Sequence, residues 1–365
     1  MNTDQVGKMS RLTLLAFMIV LVPNVMSLSH SVSAQTYTNH SPILITGNDG
    51  FTADNGVTAG SGASNDPYVI SGWAIQVPAG GYGVEIANTT AYFVITDDQI
   101  GQAVCGVNCG DGILLFSIEN GQLQNTSIDV WGNGIRVNTS DNFLFVNSNV
   151  TANGHGNGVR VEYSNNFQIT HNNIGANGIV VFLNVDDSFD ISYNSIQGGT
   201  NALNGSYLSD ATIVGNTVGA EDGISLDNIA HLLISQNRVG AHASIVVKSC
   251  GDVTIDGNTV KAVDSPEIFV AACTNVLVSN NAASNNVDGQ GVWVDGSDNV
   301  NVNSNTLSGN AVGIRLTDSA TGNTITTNTI SNNQCGIQTD STSTPDQNNI
   351  ADNTFAGNTQ DFCSF

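Results

Sequence analysis

The sequence predicts an all-β solenoid of about twelve short coils. Three observations lead there: a recurring asparagine step, a second marker that keeps pace with it, and a composition that disfavours helix. The step reads "ITHNNI" (169–174), "ISYNSI" (191–196), "IVGNTV" (213–218), "ISQNRV" (234–239) and "IDGNTV" (255–260). Aligned along the chain, it makes Asp98, Thr126, Ser148, Asn172, Asn194, Asn216, Asn237, Asn258, Asn280, Asn305, Asn328 and Asn353 equivalent. From Ser148 onward the spacing stays between 21 and 25 residues, the period of stacked-repeat proteins. The second marker, a small residue before an aliphatic one, appears as "GVEI" (Gly83), "GIRV" (Gly134), "GVRV" (Gly158), "GIVV" (Gly178), "GVWV" (Gly291) and "GIRL" (Gly313). "ALNG" at Ala202 fills its one gap.

Each period has room for three short strands and their turns. The 39 glycines and the many Asn, Ser and Thr residues suit such turns. Helix-period apolar patterning is absent after the first 30 residues. Stacked coils lie about 4.8 Å apart, so each asparagine sits over the one below. A carboxamide both donates and accepts, so the column hydrogen-bonds along the axis, while Val and Ile stack inside. The recurrence is a packing rule, not a catalytic motif.

The N-terminus reads as an export signal over 1–34. Lys8 and Arg11 precede "LTLLAFMIVLV" (12–22), and "VSAQ" supplies a cleavage site after Ala34; a retained anchor is the alternative. Cleavage leaves six basic and thirty acidic residues, a net charge of −24. That balance repels polyanions and argues against a nucleic-acid partner. No further apolar span follows, so the mature chain is expected to be secreted or held at the cell surface; its oligomeric state is left open. An even count of six cysteines in an exported chain predicts disulfides. Cys250 and Cys273 follow Val247 and Val270 by the same interval in neighbouring coils, so they pair. Cys105 and Cys109 flank "GVN" and suit a local bridge, and Cys335–Cys363 would tie down the last coil. As a metal motif, CxxxC without a nearby histidine is poor zinc spacing.

"FQITHNNIGANGIVV" (167–181) and its counterparts resemble the right-handed parallel β-helix repeat of pectin-lyase-like proteins. "PILITGNDGFTADNGVTAGSGASNDPYVISGWAI" (42–75) resembles the cap of exported archaeal β-helix proteins, some grouped with NosD-like copper-binding and carbohydrate-binding β-helices. The resemblance implies a single-stranded right-handed parallel β-helix over 79–365, an N-terminal cap over 35–78, and a groove on the strand after the glycine marker. Alternate residues of that strand point outward. The first row then reads Arg136, Arg160, Val180, Asn204, Ser225, Val246, Phe269, Trp293 and Arg315; the second reads Asn138, Glu162, Phe182, Ser206, Asp227, Lys248, Ala271, Asp295 and Thr317. Four of the six mature basic residues fall on this strip.

Two patches follow. Phe269, Trp293 and Arg315, with Asp295 and Lys248 alongside, suit sugar rings and carboxylates. They equally suit cation–π and ion-pair contacts among themselves. Arg136, Arg160 and Glu162 are the catalytic candidates if the chain is an enzyme, with an Arg neutralising a uronate or taking its proton. "GHG" (154–156) and the doublets Asp97-Asp98 and Asp186-Asp187 differ in order and spacing from polygalacturonase signatures. No pair of carboxylates on the strip meets the separation that glycoside hydrolysis needs. Copper, implied by the NosD resemblance, needs clustered His, Met or Cys. His40, His155, His171, His231 and His242 fall on different coils, and Met26 and the methionines before it leave with the signal. "NDG" (48–50) and "SNDP" (64–67) offer oxygen donors for calcium, without a full ligand set. The expected function is an exported, non-catalytic, glycan-binding or structural β-helix. The alternatives are a lyase, hydrolase or epimerase of acidic polysaccharide, and a NosD-like periplasmic copper-binding protein.

Overall fold

Alternating Val and Ile make this chain extended, and Asn, Asp or Gly steps turn it. The computed structural model describes residues 36–365 apart from 243, 264, 285 and 365; the export segment expected over 1–34 lies outside them. One coil comprises a first strand Ile135–Asn138, a second Phe143–Val146 and a third Asn149–Ala152. Each pairs in parallel with its equivalent one coil on: Ile135 with Val159, Phe145 with Ile169, Val150 with Ile174. The third strands build one 14-stranded sheet, and the chain winds about thirteen turns. Parallel neighbours need a crossover of a dozen or more residues; here the rest of the coil is that crossover, wound with the right hand that twisted strands favour. The extra turn lies in the segment assigned to a cap. There Ile43–Thr46 and Tyr68–Ser71 pair with Tyr82–Thr96, and Trp73–Gln76 pairs with Gln99–Gly101.

The interior is a set of stacked columns. Ile113, Ile135, Val159, Val181 and Leu203 form one, all buried. Phe143, Phe167 and Phe189 form another, with ring centroids 4.8 and 5.1 Å apart and planes within 7°. All three expected disulfides are present, with Cα separations of 5.6 Å (Cys105–Cys109), 4.4 Å (Cys250–Cys273) and 6.2 Å (Cys335–Cys363).

The asparagine column sits at the corner between second and third strands. The Asn194 Oδ1 accepts the Asn172 backbone N–H (2.9 Å) and its Nδ2–H (3.1 Å), while Asn172 Nδ2 also donates to the Phe145 carbonyl (2.9 Å). The pattern repeats through Asn216, Asn237, Asn258, Asn281, Asn305, Asn328 and Asn353. The column therefore contains Asn281, not Asn280. Asn280 is the residue before it, at φ 54°, the left-handed position that Gly215 and Gly257 hold in other coils. A second correction concerns the coil after Arg160. Val159 pairs with Val181 and Arg160 with Phe182, so Val180, buried, takes the place expected for Gly178. Phe182, not Val180, is the outward residue of the first row. Shorter columns join the main one: Asn286–Asn310–Asn333–Asn358 after the third strand, and Ser140–Ser164–Asp186 after the first.

Three carboxyls are buried in these columns. Asp98 Oδ1 accepts the Trp73 N–H at 2.7 Å, but its Oδ2 is buried with no hydrogen-bond partner. Burial, helped by Asp97, pushes its pKa up to about 7. Asp186 accepts the Ser164 and Asn184 backbone N–H groups, one on each oxygen, and burial still raises it to about 7. Glu267 stands in the column that Gly291 and Gly313 occupy in the following coils, and is fully buried. Neither of its oxygens has a hydrogen-bond partner of normal geometry, and burial lifts it to about 8 although the Ser284 and Ala262 backbone groups lower it in part.

Two predictions follow from the columns. Asn281→Ala strips the Asn258 N–H of its acceptor and is expected to cost about 2–4 kcal/mol, whereas Asn280→Gly stays within about 0.5 kcal/mol; urea midpoints of the two variants check this. A carboxyl whose pKa is raised on folding adds stability that is complete below its unfolded value and disappears as pH climbs through the folded one. For Asp98 and Glu267 the window runs from the ordinary carboxyl values of 3.8 and 4.5 to about 7 and about 8. The melting temperature is therefore expected to fall from pH 5 to pH 8. Asp98→Asn with Glu267→Gln should flatten that slope and raise the pH 8 value; an unchanged slope would refute the assignment.

Candidate functional site: the first-strand face

The first strand of each coil buries alternate residues, so its other residues form axial rows on the outside. Backbone pairing aligns Arg136, Arg160, Phe182 and Asn204 in the first row, and Asn138, Glu162, Asn184 and Ser206 in the second. Further along, Val246, Phe269, Trp293, Arg315 and Gln338 continue the first row, while Lys248, Ala271, Asp295 and Thr317 continue the second. Phe182 and Phe269 are four coils apart, about 19 Å, so the expected patches are two separate groups.

In the nearer group Arg160 clamps Glu162, with Nε to Oε2 at 2.8 Å and Nη2 to Oε1 at 2.9 Å. Its guanidinium also lies 4.8 Å from the centre of the Phe182 ring. The clamp lowers the Glu162 pKa and raises that of Arg160. Glu162 is held as the anion and Arg160 as the cation, so Arg160 does not serve as a general base nor Glu162 as a general acid. Arg136 is half-exposed, with Nη1 3.9 Å from Asp111 Oδ2 and a buried Nε that has no hydrogen-bond partner. The group is a cationic surface beside a fixed anion.

In the farther group the aromatic rings stack along the axis. Phe269 and Trp293 have centroids 4.9 Å apart, Arg315 Cζ lies 4.8 Å over Trp293, and Lys248 Nζ lies 5.9 Å over Phe269. Trp293 Nε1 donates to Thr317 Oγ1 (2.6 Å), which donates to Asp295 Oδ1 (2.5 Å). Neighbours thus occupy the ring faces, and a ligand would meet ring edges and cationic heads.

The sequence reading missed an exposed ridge beside the second row. Tyr163, Val185 and Tyr207 follow the second row on successive coils and are 54%, 43% and 61% exposed. All three have left-handed backbones, with φ between 54° and 58°. That conformation is uncommon for bulky residues and an outlier for β-branched Val185. The only signal for this ridge was three apolar residues where other coils place Thr139, Asn228 or Ser249.

The three carboxyls raised by burial, Asp98, Asp186 and Glu267, lie inside the coils rather than on this face. Metal donors are likewise not gathered. Among the described residues no group of three His, Cys, Asp or Glu side chains is placed to hold a metal ion, and all six cysteines are in disulfides. His231 comes nearest: its Nδ1 is 3.4 Å from Asp210 and its Nε2 3.5 Å from Asp252. The two carboxylates meet opposite ring nitrogens and do not converge on one point. No helix among the described residues is long and apolar enough to cross a membrane.

Against solved structures, the chain is similar to a double mutant of the periplasmic alginate epimerase AlgG (TM-score 0.58, 11% identity, 80% of this chain and 85% of that one). It is also similar to DFA-IIIase of Arthrobacter chlorophenolicus without its lid (0.48, 14%, 62% and 66%). A third is PfbA, a surface adhesin of Streptococcus pneumoniae (0.47, 11%, 71% and 80%). At these identities the likeness shows the parallel β-helix and no more. The chain spans slightly under two thirds of the DFA-IIIase chain. No curated protein sequence matches. A family model described as "Periplasmic copper-binding protein (NosD)" matches residues 68–244 and 219–363, nearly the whole β-helix, and the chain belongs to that family.

Proposed function

We propose that the protein is an extracytoplasmic, non-catalytic β-helix that lays a glycan chain along its first-strand face. The observation that carries this reading is the exposed ridge of Tyr163, Val185 and Tyr207 beside the Arg136–Arg160–Phe182 group. The left-handed backbone belongs to the turn, as at Thr139, Asn228 and Ser249; what sets the ridge apart is its exposed aromatic side chains next to guanidinium groups, which supply both a sugar-binding surface and carboxylate or hydroxyl recognition. The family's periplasmic description and the three disulfides support a location outside the cytoplasm.

The copper that the family description names does not fit the residues present. Copper favours His, Met or Cys in one cluster, and here the thiols are oxidised and the described histidines are dispersed. For the enzyme alternative, Arg160 is not available as the base, because Glu162 holds it protonated. The calcium expectation at "NDG" (48–50) and "SNDP" (64–67) is tested by adding the ion to the binding assay.

Sedimentation with neutral and uronic-acid polysaccharides, with and without calcium, is expected to show binding that weakens with salt and leaves the polymer length unchanged. Arg136→Ala with Arg160→Ala, and separately Tyr163→Ala with Tyr207→Ala, should each weaken it at least fivefold. Val185→Asn should raise stability by about 1 kcal/mol by relieving the left-handed strain while weakening binding. New short products would establish the enzyme reading instead.

A further inference from the structure

The "GHG" stretch has a role that the first-strand face does not use. Glycines pave the turn between third and first strands. A Cβ on Gly154 would fall 2.1 Å from the Trp131 carbonyl, one on Gly156 2.2 Å from that of Gly132, and one on Gly178 2.7 Å from that of Gly156. Only glycine lets these backbones come so close. Over them hangs the loop that joins Gln99–Gly101 to the strand starting at Asp111, longer than its counterparts and closed by Cys105–Cys109. Gln102 pins it, its Nε2 donating to the Pro78 carbonyl and its Oε1 accepting the Trp131 N–H, both at 3.4 Å. Between loop and turns lies a cleft of about 450 Å³, within the range of ligand pockets.

Its lining has a consistent chemistry. Trp131 and the loop's Val107 supply apolar surface, and Asn108, Asn153, His155 and Asn177 supply polar groups; no Lys, Arg, Asp or Glu lines it. Asn153 Nδ2 is fixed on Asp129 Oδ1 and Asn177 Nδ2 on the Asn153 carbonyl, each at 2.5 Å. The two side chains are therefore held still, with their Oδ1 atoms available as acceptors. An uncharged site with an indole, fixed acceptors and an imidazole matches a ring that is apolar on its faces and hydroxylated at its edge. A charged ligand would lose its solvation without a counter-charge.

We infer that this cleft is a second binding site, for a neutral saccharide of one to a few rings. It deepens the glycan-binding reading without resting on the cationic face, because the two sites share no residue.

The test is isothermal calorimetry on the full chain with cello-, manno-, galacto- and xylo-oligosaccharides and with oligogalacturonate. Saturable binding of at least one neutral oligosaccharide is expected. Trp131→Ala and His155→Ala should weaken it at least tenfold, and Cys105→Ser with Cys109→Ser should weaken it by loosening the loop. Arg136→Ala with Arg160→Ala should leave it unchanged, and melting curves should show each variant folded. No saturable neutral binding, binding of oligogalacturonate alone, or affinity indifferent to Trp131→Ala overturns the cleft assignment. Loss with the Arg variants but not with Trp131→Ala would leave the first-strand reading standing alone.

Discussion

One buried carboxamide per coil holds this solenoid in phase. Asn194 shows the whole device: its oxygen accepts two N–H groups from Asn172, and its nitrogen donates to Asn216 and to the Ile169 carbonyl. All its hydrogen-bonding capacity is used at a corner that water cannot reach. The residue before it must take the left-handed conformation to bring the next strand round; Gly, Asn and Asp fill most of those places, and His171, Tyr193, Gln236, Ser304 and Thr327 adopt it as well. With the corner fixed, the strands on either side fall into register, and the Ile, Val and Phe columns follow. Where the corner holds Asp98, one oxygen meets the interior with nothing to accept, and burial raises the carboxyl's pKa to about 7. Thr126 and Ser148 do the same work with hydroxyls that donate to the carbonyls of Gln124 and Val146.

The fold was legible because two independent periodicities, amide and aliphatic, agree over most of the chain. Errors arose where one of them is locally ambiguous. "NNAA" offers two asparagines for one place, and only backbone geometry separates the left-handed Asn280 from the buried Asn281. Gly178 imitates the small-residue marker, but the pairing of Val159 with Val181 gives that place to Val180. The four-membered column from Asn286 to Asn358 was hidden for the same reason, since its asparagines stand among many others. Of the site, the cationic rows could be read from the two-residue period. The sequence left Phe269 and Trp293 open between a sugar-binding surface and mutual cation–π contacts; the structure places Lys248 over Phe269 and Arg315 over Trp293, as the second reading expected. The Tyr163 ridge was illegible because left-handed tyrosine has no sequence signature.

Strongly shifted carboxyls are often read as signs of catalysis. Here burial accounts for all three, and each replaces a residue that other coils fill with an amide, a hydroxyl or glycine. The outer face shows the opposite: its clearest ion pair, Arg160 with Glu162, fixes both charges. The shifted carboxyls thus lie inside the coils, and the Arg160–Glu162 pair on the outer face stays ionised.

The disulfides have a mechanical consequence. In a stack where each coil touches only its neighbours, a pull on one end peels coils one at a time. Cys335–Cys363 and Cys250–Cys273 span 28 and 23 residues, little more than one coil each. Tension from the C-terminus reaches the Cys335–Cys363 clasp almost at once and can extend nothing between its sulfurs. Beyond it, the residues between Cys273 and Cys335 are the length that can be paid out before the second clasp. The solenoid under load is thus a rope with two knots, and its extensibility is set by their spacing.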